Sequence, residues 1–170
     1  YNIRNISEKV SKHIYFQRSA RAAIEMALLD AYCKQLGISI NEYLGSTKRE
    51  IETDLTIPIV STEKAAQIAK NAAKMGFRTF KIKVGKDFDS DIERVLSVKN
   101  AVYDCQIRID ANQGFSPKEA VRFAKTLEAR DIEIEIFEQP VLRNVIAGMK
   151  FVRDNIQFPV FADESVFTPN

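Results

Sequence analysis

An α/β fold is predicted by two observations. From residue 54 onward strand-like and helix-like segments alternate strictly, and strand centres near residues 57, 82, 108, 135 and 160 recur every 25 to 27 residues. That period holds one strand, one helix and two loops, the repeat of a parallel sheet with right-handed crossovers. A third observation separates the two parallel architectures. An open sheet binds its ligand at one switch point, usually beside a glycine-rich phosphate loop, whereas a barrel collects groups from the C-terminal ends of many strands. The sequence has no GxGxxG and no Walker-type loop, but polar groups close nearly every strand. The expectation is therefore the first five strands of a (β/α)8 barrel, occupying residues 53–170. A closed barrel typically needs about 250 residues, so a chain of 170 is expected to be part of a longer protein.

The elements follow in order. Residues 19–36 place Ala23, Ala27 and Ala31, or Ile24, Leu28 and Tyr32, at helical spacing, and Gly37 follows as a stop. The small residues predict a helix packed closely on both faces. A short second helix is expected over 40–44, ending at Gly45. Residues 54–60 then read as a strand, 62–74 as a helix stopped by Gly76, and 79–85 as a strand. A helix over 89–102, a strand over 106–110, and a helix over 116–129 opened by Ser116-Pro117 come next. The series closes with a strand over 133–138, a helix over 145–155 and a strand over 158–163.

Composition narrows the function. Hydrophobic residues make up 45% of the chain, enough for a sizeable core, and 25 basic against 23 acidic residues leave a net charge of +2 with no run of one sign. That balance gives no footprint for nucleic acid or anionic lipid, so the expected partner is a small-molecule substrate. Cys33 and Cys105 are too few and too far apart for a disulfide framework or thiolate metal site. With no leader and no apolar run of membrane-spanning length, the expected compartment is the cytoplasm. His13 is the single histidine; it sits in a polar stretch before the first helix and is expected to be a plain surface residue.

Acidic residues recur at three strand ends: Asp110 in RIDANQGF, Glu138 in IEIFEQPV and Asp163 in VFADESVF. Any one alone would be a solvated loop residue or a helix cap. At one rim of a barrel, three carboxylates from neighbouring strands suit a hard divalent cation. In TFKIKVG, Lys81 and Lys83 share a face opposite Phe80, Ile82 and Val84. On an isolated amphipathic strand they would equally well be a solvated face; in a barrel, whose outer face is covered by helices, they point inward. Two ammonium groups so close are expected to depress each other's pKa, which would suit one of them to act as a base near neutral pH. The same alternation turns Arg108 with Asp110, and Ile134 and Ile136 with Glu138, to the inside. It leaves Glu135 pointing at the helix layer, where an ion pair with a helix lysine or arginine is the expected outcome. A lysine base beside a carboxylate-bound cation suggests removal of a proton α to a carboxylate, with the cation stabilising the enolate.

Taken together and in this order, KIKVG, RIDANQGF, IFEQPV and ADESVFTP resemble the muconate-lactonising subgroup of the enolase superfamily, whose design pairs a Lys or His base with Mg2+. DANQGFSPKEAV and ADESVFTP are most similar to the dipeptide epimerases of the L-Ala-D/L-Glu type, and ARAAIEMALLDAYCKQLG resembles the helix that links that family's capping domain to its barrel. The resemblance implies that residues 1–52 are the helical part of a capping domain. It implies Mg2+, with Mn2+ as an alternative, ligated by Asp110, Glu138 and Asp163. Lys83 would be the acid/base on one side of the α carbon, Lys81 would sit beside it, Asn112 would lie behind the ligands, and Thr56 would contact substrate. It also implies a homo-oligomer. The family's second catalytic lysine on the sixth strand, its acidic motif near the eighth and the β-meander of its capping domain have no counterpart in this sequence, so the chain alone is expected to be inactive.

Muconate cycloisomerase, o-succinylbenzoate synthase and N-acylamino acid racemase carry the same metal and lysine motifs and stay open as alternatives. Two readings of another class also remain: a non-catalytic half-barrel that pairs with a complementary chain, and an α/β binding domain whose acids are incidental.

Overall fold

The computed structural model describes residues 3–14, 17–47 and 50–166. The chain forms two compact units, Tyr1–Ile51 and Glu52–Asn170. The first unit consists of α1 (Ile3–His13), α2 (Arg18–Leu36) and α3 (Ile40–Tyr43). The polar stretch that holds His13 is itself a helix, α1, and His13 ends it with Nδ1–H donating to the Lys9 carbonyl at 2.8 Å. Glu25 of α2 accepts from Ser7 of α1 and from Arg21 one turn away. Gly37 closes α2, and Ser39 opens α3 with a reciprocal capping box to Glu42. The expectation that α2 packs on both faces is not met: Ala23, Ala27 and Ala31 are exposed, and Cys33 is the buried residue of the helix.

The second unit alternates as the sequence predicts. Its elements are β1 (Leu55–Ile57), α4 (Thr62–Lys74), β2 (Thr79–Lys83), α5 (Phe88–Ala101), β3 (Gln106–Asp110), α6 (Pro117–Glu128), β4 (Ile136–Glu138), α7 (Ile146–Asn155) and β5 (Val160–Phe161). The five strands form one sheet in the order β1-β2-β3-β4-β5, every neighbour parallel. Sequence order equals spatial order, as in the rising part of a barrel and unlike a doubly wound sheet, whose order reverses.

Side-chain alternation then divides the sheet. Ile57, Phe80, Ile82, Ile107, Ile109 and Phe137 are all at most 1% exposed, in one cluster with Ala65 and Ala69 of α4, Val95 and Val98 of α5, Phe123 and Leu127 of α6 and Val152 of α7. Alanines on α4 present little bulk toward this layer, while Phe88, Phe115, Phe123 and Phe137 fill the space beneath α6 with tilted and edge-to-face contacts. Truncating Phe123 or Phe137 removes a ring from a sealed layer, a change that costs about 3–5 kcal/mol.

The opposite face carries Thr56, Lys81, Lys83, Arg108, Asp110, Ile136 and Glu138, so the barrel-facing side is polar where the helix-facing side is apolar. One assignment changes. β4 begins at Ile136, and Glu135 lies at a bend, so alternation does not extend back to it. Buried Ile134 joins the same core cluster as Phe137. Glu135 pairs with Arg108 of the neighbouring strand, which donates through Nε at 2.8 Å and Nη2 at 3.1 Å, rather than with a helix residue. Arg108 also reaches Asp54 at 2.9 Å, tying the entry of β1 to β3 and β4.

Candidate active site

Register sets the geometry. Lys83 of β2 pairs with Asp110 of β3, Asp110 with Glu138 of β4, and Glu138 with Phe161 of β5, so the C-terminal strand ends lie at one level. Lys83 Nζ donates to Asp110 Oδ2 at 2.6 Å and to Asn112 Oδ1 at 2.6 Å. Lys81 Nζ bridges two carboxylates, 2.7 Å from Glu138 Oε1 and 2.9 Å from Asp110 Oδ2. Asp110 is 1% exposed. Four of the sequence-predicted residues therefore meet, with Asn112 joined through Lys83. Thr56 lies beside Lys81 on the same face, exposed.

Asp163 lies outside the strands. It is two residues beyond Phe161, past the end of β5, and exposed. Among the described residues no three His, Cys, Asp or Glu side chains come together as a metal-holding group. The carboxylates that do share the ledge are Asp110 and Glu138.

Charge balance at the ledge departs from expectation. Burial pulls the Lys81 ammonium down, but hydrogen bonds to Glu138 and Asp110, with their charges, outweigh it and hold the group above the ordinary lysine value. The expected mutual depression of the two lysines is absent at Lys81 because two carboxylates face it. Burial likewise raises Asp110, yet the bonds from Lys83, Lys81 and the Asn112 amide prevail and keep its carboxyl below the usual range.

Several residues that hold this ledge have no marked sequence signal. Gly85, with φ +98°, follows β2, and Gly114 follows β3; a Cβ on Gly114 would lie 2.5 Å from the Gly85 carbonyl oxygen. The two loops touch backbone to backbone, which admits no side chain at either position. Asp91, fully buried on α5, accepts the N–H groups of Gly85, Lys86 and Asp87 on Oδ2 and pairs with buried Arg94, whose Nε donates to the Val60 carbonyl at 2.8 Å. One ion pair thus ties the loops after β1 and β2. Gln139, fully buried, accepts from Asp163 N at 3.0 Å and Ser165 N at 3.1 Å and donates to Ser165 Oγ at 2.8 Å. Gln139 has φ +34°, and Asn112 and Gln113 have φ +41° and +71°. Three of the four non-glycine residues with positive φ among the described residues thus follow β3 and β4, the kind of backbone strain that clusters at functional sites.

Comparison with known proteins gives the family. The enolase C-terminal domain-like family matches residues 63–170, and the N-terminal domain family of mandelate racemase and muconate lactonizing enzyme matches residues 1–45. The chain belongs to the enolase superfamily. Similar members include the L-Ala-D/L-Glu epimerase of Clostridium acetobutylicum, 42% identical over 95% of this chain and 45% of that protein. The L-Ala-D/L-Glu epimerase of Bacillus subtilis is 44% identical over 89% of this chain and 42% of its own length. Among solved superfamily structures, the substrate-liganded complex of the L-Ala-D/L-Glu epimerase from Bacillus subtilis superposes with a TM-score of 0.95 at 40% identity, covering 98% of this chain and 47% of that one. The dipeptide epimerase of Enterococcus faecalis, complexed with Mg and the dipeptide L-Leu-L-Tyr, gives 0.92 at 37%, covering 98% and 47%. The chain spans about half the length of the relatives it matches.

The donor set at the ledge fits a hard divalent cation. Asp110 and Glu138 place carboxylates at one level on adjacent strands, and a positive charge, the Lys81 ammonium, already bridges them. Mg2+ is commonly held by one or two carboxylates and keeps several waters. Glu164, next to Asp163, has a buried carboxylate oxygen, Oε2, with no hydrogen-bond partner among the described residues.

Proposed function

We propose that this chain is the metal-binding, one-base half of a dipeptide epimerase that removes and returns a proton α to a carboxylate. The observation that carries the proposal is the register of Lys83, Asp110 and Glu138 at the ends of three adjacent strands, with Lys81 bridging the acids. Residues 1–52 would be the helical part of a capping domain and 53–170 the first part of the barrel.

Asp110 and Glu138 would hold Mg2+, with Asp163 as a third ligand supplied by the loop after β5; Mn2+ has the same ligand preference. When bound, the cation supplies positive charge to the substrate carboxylate as it becomes electron-rich. The proton transfer on one face of the substrate would be done by side chains of this chain. Lys83 Nζ, held at the mouth of the site by Asp110 and Asn112, would take the proton from one face of the α carbon as the neutral amine and give it back as the ammonium. Lys81 fixes the two acids and adds positive charge on the same side. Thr56, exposed beside Lys81, would contact substrate. The dipeptide class follows from the relatives, which include an epimerase complexed with a dipeptide.

Inverting a carbon through two faces takes a second base opposite Lys83, and we assign that base to sequence outside this chain. The test is deuterium exchange. The full natural chain with Mg2+ in D2O should wash the α proton out of L-Ala-L-Glu or a related dipeptide, followed by NMR. Absence of exchange with every dipeptide tried would sink the proposal.

A further inference from the structure

One acidic residue near the ledge was not singled out by the sequence. Glu164 lies between Asp163 and Ser165, and Gln139 pins the backbone on both sides of it by accepting from Asp163 N and Ser165 N. Glu164 Oε1 accepts from Asn112 Nδ2 at 3.1 Å, while Oε2 is buried without a partner among the described residues. The other end of the Asn112 amide, Oδ1, accepts from Lys83 Nζ at 2.6 Å, and Asn112 N donates to Asp110 Oδ1 at 3.0 Å.

An asparagine amide offers a donor on one side and an acceptor on the other. With the orientation reversed, Nδ2 would meet an ammonium that can only donate, and Oδ1 would meet a carboxylate that can only accept. Both contacts would turn repulsive together. Asn112 is itself exposed and in the left-handed region, so packing does not fix its amide. A carboxylate on the far side does.

We propose that Glu164 is a positioning residue. By accepting from Asn112 Nδ2 it turns the amide so that Oδ1 faces Lys83, and it thereby sets the place of the Lys83 ammonium from the loop after β5. The inference rests on the assignment of Lys83 as the acid/base made above.

The test compares wild type, Glu164→Gln and Glu164→Met in the full natural chain, reading both epimerisation kinetics and the 15N-resolved side-chain amide of Asn112. Gln keeps an acceptor, so its Asn112 amide stays dispersed and slow to exchange, and its kcat stays near wild type. Met keeps the length without an acceptor. The Asn112 amide signals then collapse toward those of a free solvated amide, and kcat falls on the order of tenfold or more, while KM for the dipeptide moves by no more than about twofold. Should the Met variant not fold, Glu164→Ala removes the same acceptor. An unchanged Asn112 amide with unchanged kcat in the Met or Ala variant would overturn the proposal. If wild type shows no epimerisation but its Asn112 amide is ordered and the Met variant frees it, the positioning role stands and the epimerase assignment fails.

Discussion

Asp110 is the residue on which most of the site turns. It is sealed from solvent, accepts from two lysines and one backbone amide, and is aligned with Glu138 on the next strand. Replacing it by Asn removes a charge that a hard cation needs and leaves Lys81 and Lys83 with one fewer anion. Asp110→Asn is expected to weaken Mg2+ binding by about tenfold or more, measured by titration calorimetry. A second residue-scale prediction concerns the barrel interior. Arg108 donates to Glu135 and, with its charge, holds that carboxyl below its ordinary value of 4.5. A carboxylate with a lowered native pKa contributes stability that is present above its unfolded value and lost as pH falls through the native one. The stability gap between wild type and Glu135→Gln should therefore be constant above pH 4.5 and close as the pH falls below it, read by urea unfolding across that range. A gap that persists at low pH would contradict the pairing.

Loops and helix starts carry the predictions at the scale of elements. Gly114→Ala would drive a methyl group to 2.5 Å from the Gly85 carbonyl oxygen and 2.6 Å from its Cα, so the loops after β2 and β3 must part. An overpacked contact of this kind costs about 1–3 kcal/mol, and chemical denaturation of the variant measures it. Asp91→Ala leaves Arg94 buried and unpaired and three loop amides without their acceptor, for which about 3–5 kcal/mol is expected. How far the sequence revealed these elements depends on the length of each signal. α4 falls at 62–74 and β3 at 106–110 as predicted, and Ser116 caps α6 where the Ser-Pro start places it. Lys81, Lys83, Asp110 and Glu138 were legible because a period of two assigns each to a face. β4 and β5 are shorter than predicted, since their apolar runs continue through bends and loops that alternation does not distinguish from strand. Asp91, Gln139 and Glu164 were not legible, because each acts on backbone or side-chain groups whose proximity only the folded loops create.

On the scale of the whole molecule, a five-stranded parallel sheet has helices on one side and a polar, partly open face on the other. Among the described residues β1 pairs only with β2, and β5 only with β4. Both outer strands therefore present unpaired backbone groups, and Phe161 of β5 is 50% exposed. Such edges template association. The 170-residue chain produced alone is expected to self-associate with rising concentration in light scattering; a monomer at all concentrations would mean that these edges are covered. In the proposed reaction the ledge formed by β2, β3 and β4 would address one face of a substrate carbon.

That one-sidedness makes the central claim directly testable. Lys83→Met in the full natural chain, incubated with Mg2+ in D2O, should lose exchange of the α proton from one epimer of the dipeptide and retain it with the other. Exchange of both epimers at wild-type rates would contradict the assignment of Lys83 as the base of this site.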